Sequence, residues 1–459
     1  MSSEGRVKSI VEPARKTSVF KDTDVLVVGG GVAGVAAAVA AARNGANTVL
    51  VERYGHLGGM ATGGLVLVIM PMSDGTKNLQ IAGICREIVA RMDSYGGCIH
   101  PREEDIGSNE EKLVDYWLNY PFCVIENRVI MSVPFDPEIF KIVLNDMVED
   151  SGVSLCLHCW GSQAIVEDDA VKGIVFESKQ GRQAVLAKVT IDTTGDGDIL
   201  ATAGADYTDA ITPELRAHMA LPFRMGGIDF EAYADFRRSH QADFMERMKE
   251  LGHQLGLEGP ALSNYFLLRY SQPDAAWVNN SFDNCSGLKI DDLTQVEVEA
   301  RKKARTFREF YRQSIPGFEK CFIMDTAMQI GVRCSRRLVG EHVIEHEELL
   351  KGTIYPDTIG VFPDHHHTYS REHPHWHIPY RSLVARNREN LLAAGRLLSA
   401  DAVANELLRP IQGCIVMGEA AGTAAALAVK AGVPPRKVDV KVLQRQLLEQ
   451  GVLLEGVPV

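Results

Sequence analysis

The chain has 459 residues, room for two or three domains at about 150 residues each. Its 46% apolar and 24% charged content suits a globular protein whose core needs no disulfide or metal staples. A net charge of −12 and a pI near 5.7 weigh against nucleic acid or an anionic membrane as partner, while leaving room for a local basic pocket. The nine cysteines, odd in number and scattered, are not the framework of a small secreted protein. The opening MSSEGRVKSIVEPARKTSVF has no apolar run and is expected to be a polar arm, not a signal peptide. No uncharged apolar run of about 18 residues occurs, so no membrane span is expected, and the cytoplasm is the expected compartment.

Residues 24–28 (DVLVV) are short and β-branched and predict a buried strand. Glycines follow at once, then the alanine-rich stretch 35–43, which favours helix. Gly45 and Asn47 end that helix, and 48–51 (TVLV) predict a second strand. Strand, helix and strand within about 30 residues have the size of a βαβ unit. Residues 135–150 (FDPEIFKIVLNDMVED) read as an amphipathic helix with Asp136 as N-cap and Pro137 in the first turn. Strand-like runs at 153–157, 164–166, 173–177 and 185–191 suggest a β-meander. Between 210 and 313 charged, helix-like segments dominate, which marks an inserted second domain. From Asn390 small apolar residues return: a strand at LLAAG, a loop, and a helix at MGEAAGTAAALAVKAG.

The first turn, Gly29-Gly30-Gly31-Val32-Ala33-Gly34, fits G-x-G-x-x-G. Gly29 allows the tight turn, Gly31 lets the backbone approach a pyrophosphate, and Gly34 lets the helix pack on the strand. The N–H groups that open the helix at Val32, Ala33 and Gly34 face the same anion. Glu52 ends the second strand, 18 residues past Gly34, where its carboxylate can accept bonds from ribose hydroxyls. The motif does not by itself separate FAD from NAD.

The stretch DVLVVGGGVAGVAAAVAAARNGANTVLVERYGHLGGMATGGL resembles the opening of the bacterial FAD-dependent oxidoreductase family, distant relatives of the fumarate reductase and succinate dehydrogenase flavoproteins. Residues 191–198 (IDTTGDGD) resemble the family's second pyrophosphate-side loop, 331–340 (GVRCSRRLVG) its arginine-rich segment, and 380–426 its C-terminal flavin-binding segment. The resemblance implies an α/β fold with a discontinuous FAD domain (20–70, 134–209, 380–459) and a substrate or cap domain (71–133, 210–379). It implies FAD contacts from Arg53, from Gly58, Gly59, Met60, Ala61 and Thr62, from Ala164, and from Thr194, Gly195 and Asp196. Gly395 and Arg396 would begin the C-terminal flavin loop. Gly418, Ala420, Ala421, Gly422 and Thr423 would open a helix aimed at the isoalloxazine; the plainer alternative is a helix that only packs tightly.

No second G-x-G-x-x-G follows a later strand, so no dedicated NAD(P)H domain is visible. Cys156-Leu157-His158-Cys159 is a C-x-x-C, but it continues a strand instead of opening a helix, which favours a structural reading. Residues 364–377 hold six histidines. His373, His375 and His377 alternate, yet no acid or thiolate stands at zinc-like spacing, so no metal is expected there. Histidine over a flavin suits proton transfer. His56 is expected as a loop side chain at the flavin edge. The expected substrate-facing residues are Arg409, His377 and Tyr380, with Arg409 as a fork for a carboxylate, an extended residue before Pro410, and a salt bridge to Glu406 or Glu419 as its structural alternative. Arg333, Arg336 and Arg337 form a second cluster. The expected reaction is hydride transfer between flavin N5 and a small organic molecule, at C–C, C–O or C–N. The alternatives are an oxidase or monooxygenase using O₂ and an electron-transfer subunit. A second copy of the chain or an electron-transfer protein stays open as partner.

Overall fold

The computed structural model describes residues 10–209, 219–256, 267–364, 375–454 and 456–457. The first half builds β1 (Ser18–Val28), α1 (Val32–Arg43), β2 (Thr48–Val51), α2 (Ile84–Ser94), α3 (Pro137–Asp150), β3 (Ser154–Cys156), β4 (Trp160–Glu167), β5 (Ala170–Ser178), β6 (Gly181–Asp192) and α4 (Asp198–Ala203). Then come β7 (Phe223–Gly226), α5 (Phe230–Ser239), α6 (Gln241–Leu255), β8 (Leu267–Arg269), β9 (Ala276–Val278), α7 (Ile290–Ser314) and β10 (Phe322–Thr326). The last part holds β11 (Thr358–Pro363), β12 (His375–Pro379), β13 (Leu391–Ala393), α8 (Ala402–Leu408) and α9 (Ile411–Ala431), besides shorter elements.

A seven-stranded sheet runs β3-β2-β1-β6-β5-β4, with β13 also on β6. β3, β2, β1, β6 and β13 are parallel, and β4-β5-β6 form the antiparallel meander. β6 is shared: its first half pairs with β5 and its last three residues with β13. β1 starts at Ser18, earlier than the sequence predicts, because residues 18–23 pair with 183–187. That half is largely exposed, so it carries no buried-strand signature. The class is α/β, as expected. Asp136 caps α3 through bonds from the Glu138 and Ile139 N–H groups, as its sequence foretells.

α1 is buried on every side, between the sheet and α9. A charge-free alanine surface suits that place. A Cβ on Gly418 would stand 2.1 Å from Ala33 O, and one on Gly422 2.0 Å from Ala37 O. The two helices are therefore parallel and in backbone contact. α9 is the one helix among the described residues long and apolar enough to cross a membrane; here most of it is buried against this core.

The helix expected from Met417 begins six residues earlier, at Ile411. Gly418, Ala420, Ala421, Gly422 and Thr423 thus lie in the middle of α9, not at its opening. The packing alternative holds: small residues there serve the approach to α1, and Thr423 Oγ1 donates to Glu419 O.

The main apolar core takes in α1, α3 and α9, and also Met72, Ile84, Ile88, Met92, Phe362 and Trp376. A separate aromatic cluster, including Phe223, Phe230, Phe307, Tyr311 and Phe318, sits under the antiparallel sheet β8-β9-β7-β10. Phe307 and Tyr311, one turn apart on α7, stack with centroids 4.3 Å apart. The charged helices read from the sequence are amphipathic covers of this cluster.

The helix pair can be tested in two ways. Gly422→Val forces α1 and α9 apart and is expected to cost about 1–3 kcal/mol or more, read as a lower urea midpoint. Glu419, 1% exposed on α9, accepts the Ile84 N–H at 2.9 Å and so ties α2 to the core. Burial pushes its carboxyl up to about 7, against the Ile84 bond and the pull of Arg43, with Glu87 adding to the rise. The fold favours the protonated form. That contribution is full below about 4.5 and is lost as pH rises through about 7. Glu419→Gln keeps an acceptor for Ile84 and should remove on the order of 2 kcal/mol of this decline, seen by comparing midpoints at about pH 5 and about pH 7.5.

Candidate functional site

The site grows from the carboxyl ends of the parallel strands. Gly29 has φ +105° and its Cβ would collide with Thr193 O at 2.5 Å. Gly34 is closed by Gly29 O, 1.8 Å from its would-be Cβ. Gly31 is different: nothing lies within 4 Å of the Cβ it lacks. Gly31 is the N-cap of α1 with no side-chain cap, so the first N–H groups of α1, from Val32 to Gly34, open onto that space. An uncapped positive helix end beside empty space fits a pyrophosphate.

Glu52 is buried. Its Oε2 accepts the Gly30 N–H at 2.5 Å and its Oε1 the Tyr54 N–H at 2.7 Å. Each carboxylate oxygen keeps a second lone pair for a ribose hydroxyl. Beside it, Gly29, Glu52, Arg53, Cys159, Trp160, Gly161 and Thr194 line a cleft. Ala164 does not line this cleft, and its N–H donates to Thr202 Oγ1 at 3.0 Å. β4 starts at Trp160, four residues before the apolar run that marked it, so residues 159–161, and not Ala164, stand at this cleft. A strand start read from apolar letters alone passes over Trp160 and Gly161.

The loop 58–62 docks on the dinucleotide turn. The Gly58 N–H donates to Gly30 O at 2.8 Å, and a Cβ on Gly59 would stand 3.0 Å from Gly31 Cα. Thr62 Oγ1 donates to Leu57 O, which shapes the turn. Ala61 is buried, and Met60 Sδ lies 3.6 Å from the would-be Cβ of Gly331, so the arginine-rich segment starts over this loop. His56 has a buried Nδ1 without a partner, and burial lowers its pKa.

Asp192 organises the second loop, a residue the motif contained but whose role it did not reveal. Its oxygens accept Thr194 N–H and Oγ1–H, and the Ile199 and Leu200 N–H groups that open α4. Burial pushes it up to about 6. Arg396 then clasps this loop, Nε to Gly195 O at 2.5 Å and Nη2 to Asp196 Oδ1 at 2.7 Å, while Ser335 Oγ donates to Asp196 at 2.8 Å. Gly395, at φ +83°, sits over Ala33, with 3.1 Å from its would-be Cβ. Residues 31, 58–59, 195–196 and 395–396 thus converge on one end of α1.

α9 extends that track. It runs parallel to α1 and starts seven residues before Gly418, so its N-terminus overshoots that of α1 by about 10 Å. The free N–H groups of Ile411, Gln412 and Gly413 point the same way. They, and not residues 418–423, open the helix. Gln412 is fully buried with an unpartnered Oε1.

The three expected substrate residues part company. Tyr380 is buried and its hydroxyl donates to Pro435 O at 2.9 Å, a packing role. Arg409 pairs bidentately with Glu406, the structural alternative. Its backbone, φ −83° and ψ −1°, ends α8 through a bond to Asn405 O, so it is not extended as Pro410 suggested. His377 is 5% exposed, has an unpartnered Nδ1, and is pushed down to about 4 by burial and by His375. His375 pairs with Asp74 at 2.9 Å. His373 lies outside the described residues. Arg336 binds Asp196 O and Asp198, and Arg337 reaches Cys334 Sγ and Ala400 O.

A family model described as FAD dependent oxidoreductase matches residues 24–447. The chain belongs to the FAD-dependent oxidoreductase family. It is an FAD enzyme, as the resemblance implied. It is 32% identical over 151 residues to an alkyl hydroperoxide reductase polypeptide of Xanthomonas campestris pv. phaseoli, a match covering 32% of this chain and 28% of that protein. Among solved structures it is similar to a geranylgeranyl bacteriochlorophyll reductase-like protein of Thermoplasma acidophilum, with 15% identity, TM-score 0.47, and coverage of 94% and 84%. It is also similar to p-nitrophenol 4-monooxygenase of Pseudomonas putida, with 12% identity, TM-score 0.49, and the same coverage.

Gly31→Ala adds a methyl where the protein has space, so the chain should fold with an unchanged thermal midpoint yet bind FAD far more weakly. Glu52→Ala should raise the FAD dissociation constant by an amount equal to about 1.5–3 kcal/mol, and should also loosen the Gly30 turn. Both are read by fluorescence titration of the apoprotein with FAD; unchanged constants remove these residues from the site.

Proposed function

We propose that this enzyme transfers a hydride between FAD and a small anionic organic substrate, and that Arg333 holds the substrate's charge. Bound FAD supplies the two-electron acceptor or donor. The FAD contacts proposed are the turn 29–34, Glu52, the loop 58–62, the loop 194–196 with Arg396, and the start of α9. The cap proposed is the set of segments 71–133 and 210–379, of which β7–β10 and α5–α7 carry their own aromatic cluster.

The observation that carries the reading is the state of Arg333. It makes no ion pair among the described residues, and its bond to Ser281 Oγ is a long one, 3.3 Å from Nη2. Burial pulls its pKa down, and the neighbouring Arg409 pulls the same way, with Glu406 and Asp283 opposing. A desolvated guanidinium beside a second one invites an anion, because a buried charge without a partner is costly. Arg333 lies between Gly331, above Met60, and Ser335, which binds Asp196, so it borders the proposed flavin track. Arg409 stays paired to Glu406 and adds positive potential beside it. The free N–H groups that open α9 at Ile411, Gln412 and Gly413 are proposed to hold negative charge developing on the ring or the substrate. His377, neutral at pH 7 and with an unpartnered Nδ1, is the proposed proton carrier; it stands opposite Val361, on the face of the β11–β12 pair away from the Gly360 and Phe362 positions that meet α9.

The test is spectral. Small carboxylates added anaerobically should perturb or bleach the flavin band, and their uncharged amides should not. Arg333→Gln should weaken the carboxylate response by about 10-fold or more at normal FAD content. Arg409→Lys should change it little. An equal response to acids and amides, or an unaltered Arg333→Gln, overturns the reading.

A further inference from the structure

On the far side of α2 from Glu419, the chain leaves the helix through Gly96 and Gly97 and brings three different metal-binding groups together. The Asp93 carboxylate, Cys98 Sγ and a ring nitrogen of His100 lie within 4.8 Å of one another, and His100 Nε2 is 3.8 Å from Asp93 Oδ1. We propose that Asp93, Cys98 and His100 form a binding site for a borderline divalent cation of the zinc type.

Three features carry it. The donor set is mixed sulfur, nitrogen and oxygen, the chemistry that zinc accepts and that magnesium or calcium does not. His100 is already oriented: its Nδ1 bonds the Pro101 carbonyl at 2.8 Å, so Nδ1 carries the proton and Nε2 presents its lone pair toward Asp93 and Cys98. A backbone carbonyl holding the second nitrogen is the outer partner that metal-bound histidines need. The backbone beneath is pinned. The Gly97 N–H returns to Met92 O, the Ile99 N–H donates to Pro134 O, and the Asp136 N–H donates to Gly97 O. Cys98 itself bridges to Phe135. The spacing Asp93-x₄-Cys98-x-His100 is thus held by a helix end on one side and the approach to α3 on the other.

The thiol is protonated without metal, since Sγ leans on Val89 O at 3.8 Å and burial pushes it up to about 12. Binding forms the metal–sulfur bond and releases that proton to solvent, with no redox change. Three protein ligands leave a fourth tetrahedral position, and the exposed Asp93 places it toward water. A bound ion would tie the end of α2 to the segment that precedes α3. It would act on that helix pair, and it is independent of the flavin reading.

The experiment uses untagged, FAD-loaded protein. It is washed with chelator, reloaded with zinc, desalted and assayed for metal, and the zinc edge is read by X-ray absorption. The expected result is one zinc per chain with one sulfur neighbour at about 2.3 Å. Cys98→Ser should lose the sulfur signal, and His100→Gln should weaken binding by about 10-fold or more, both at normal FAD content, which shows that the variants fold. Cys321→Ser, in the separate aromatic cluster, should retain zinc as wild type does. No retained zinc, zinc with only oxygen and nitrogen neighbours, or equal retention in all three variants overturns the site.

Discussion

The structure depends on one contact: the backbone of α9 lying directly on the backbone of α1. It is possible only because Gly418 and Gly422 carry no side chains where Ala33 O and Ala37 O stand. Helices this close cannot slide, so their N-termini hold a fixed stagger. One positive end opens at Gly31, the other about 10 Å further along. A dinucleotide has negative charge at its pyrophosphate and develops it at its ring, and in the proposed reading the two helix ends, spaced along one line, face one each. The same contact brings Gly395 over Ala33 and so closes the third side of the turn.

Around that pair the loops hold one another by charge. Asp192 commits both oxygens to the loop 194–200, and Asp196 in turn takes Ser335 and Arg396. The stretches near 195, 335 and 396 are thereby locked together, while Thr193 Oγ1 on Gly29 O and the Gly58 N–H on Gly30 O add the stretches near 30 and 58. A buried carboxylate is costly without partners, and Asp192 accepts two hydrogen bonds on each oxygen. Arg333 stands out against this background, since the arginines around it, Arg336, Arg337, Arg396 and Arg409, all have acids, carbonyls or a thiol to hold.

What the sequence by itself determined is local. The βαβ unit, the glycine turn, Glu52 at the strand end, the Asp136 cap and the amphipathic helices α5–α7 are all set by neighbours within one or two turns. Periodicity and turn chemistry report those directly. The family resemblance likewise rests on short blocks that keep their letters. Only the tertiary structure decided the rest. Whether GEAAGTAAALA opens a helix or packs its middle depends on α1, some 380 residues away in the chain. Tyr380 meets Pro435, Arg409 meets Glu406, and Gly161 replaces Ala164 at the cleft, all through contacts no local pattern encodes. A side chain's partner is set by where the backbone carries it, and a loop's letters do not say which way it turns.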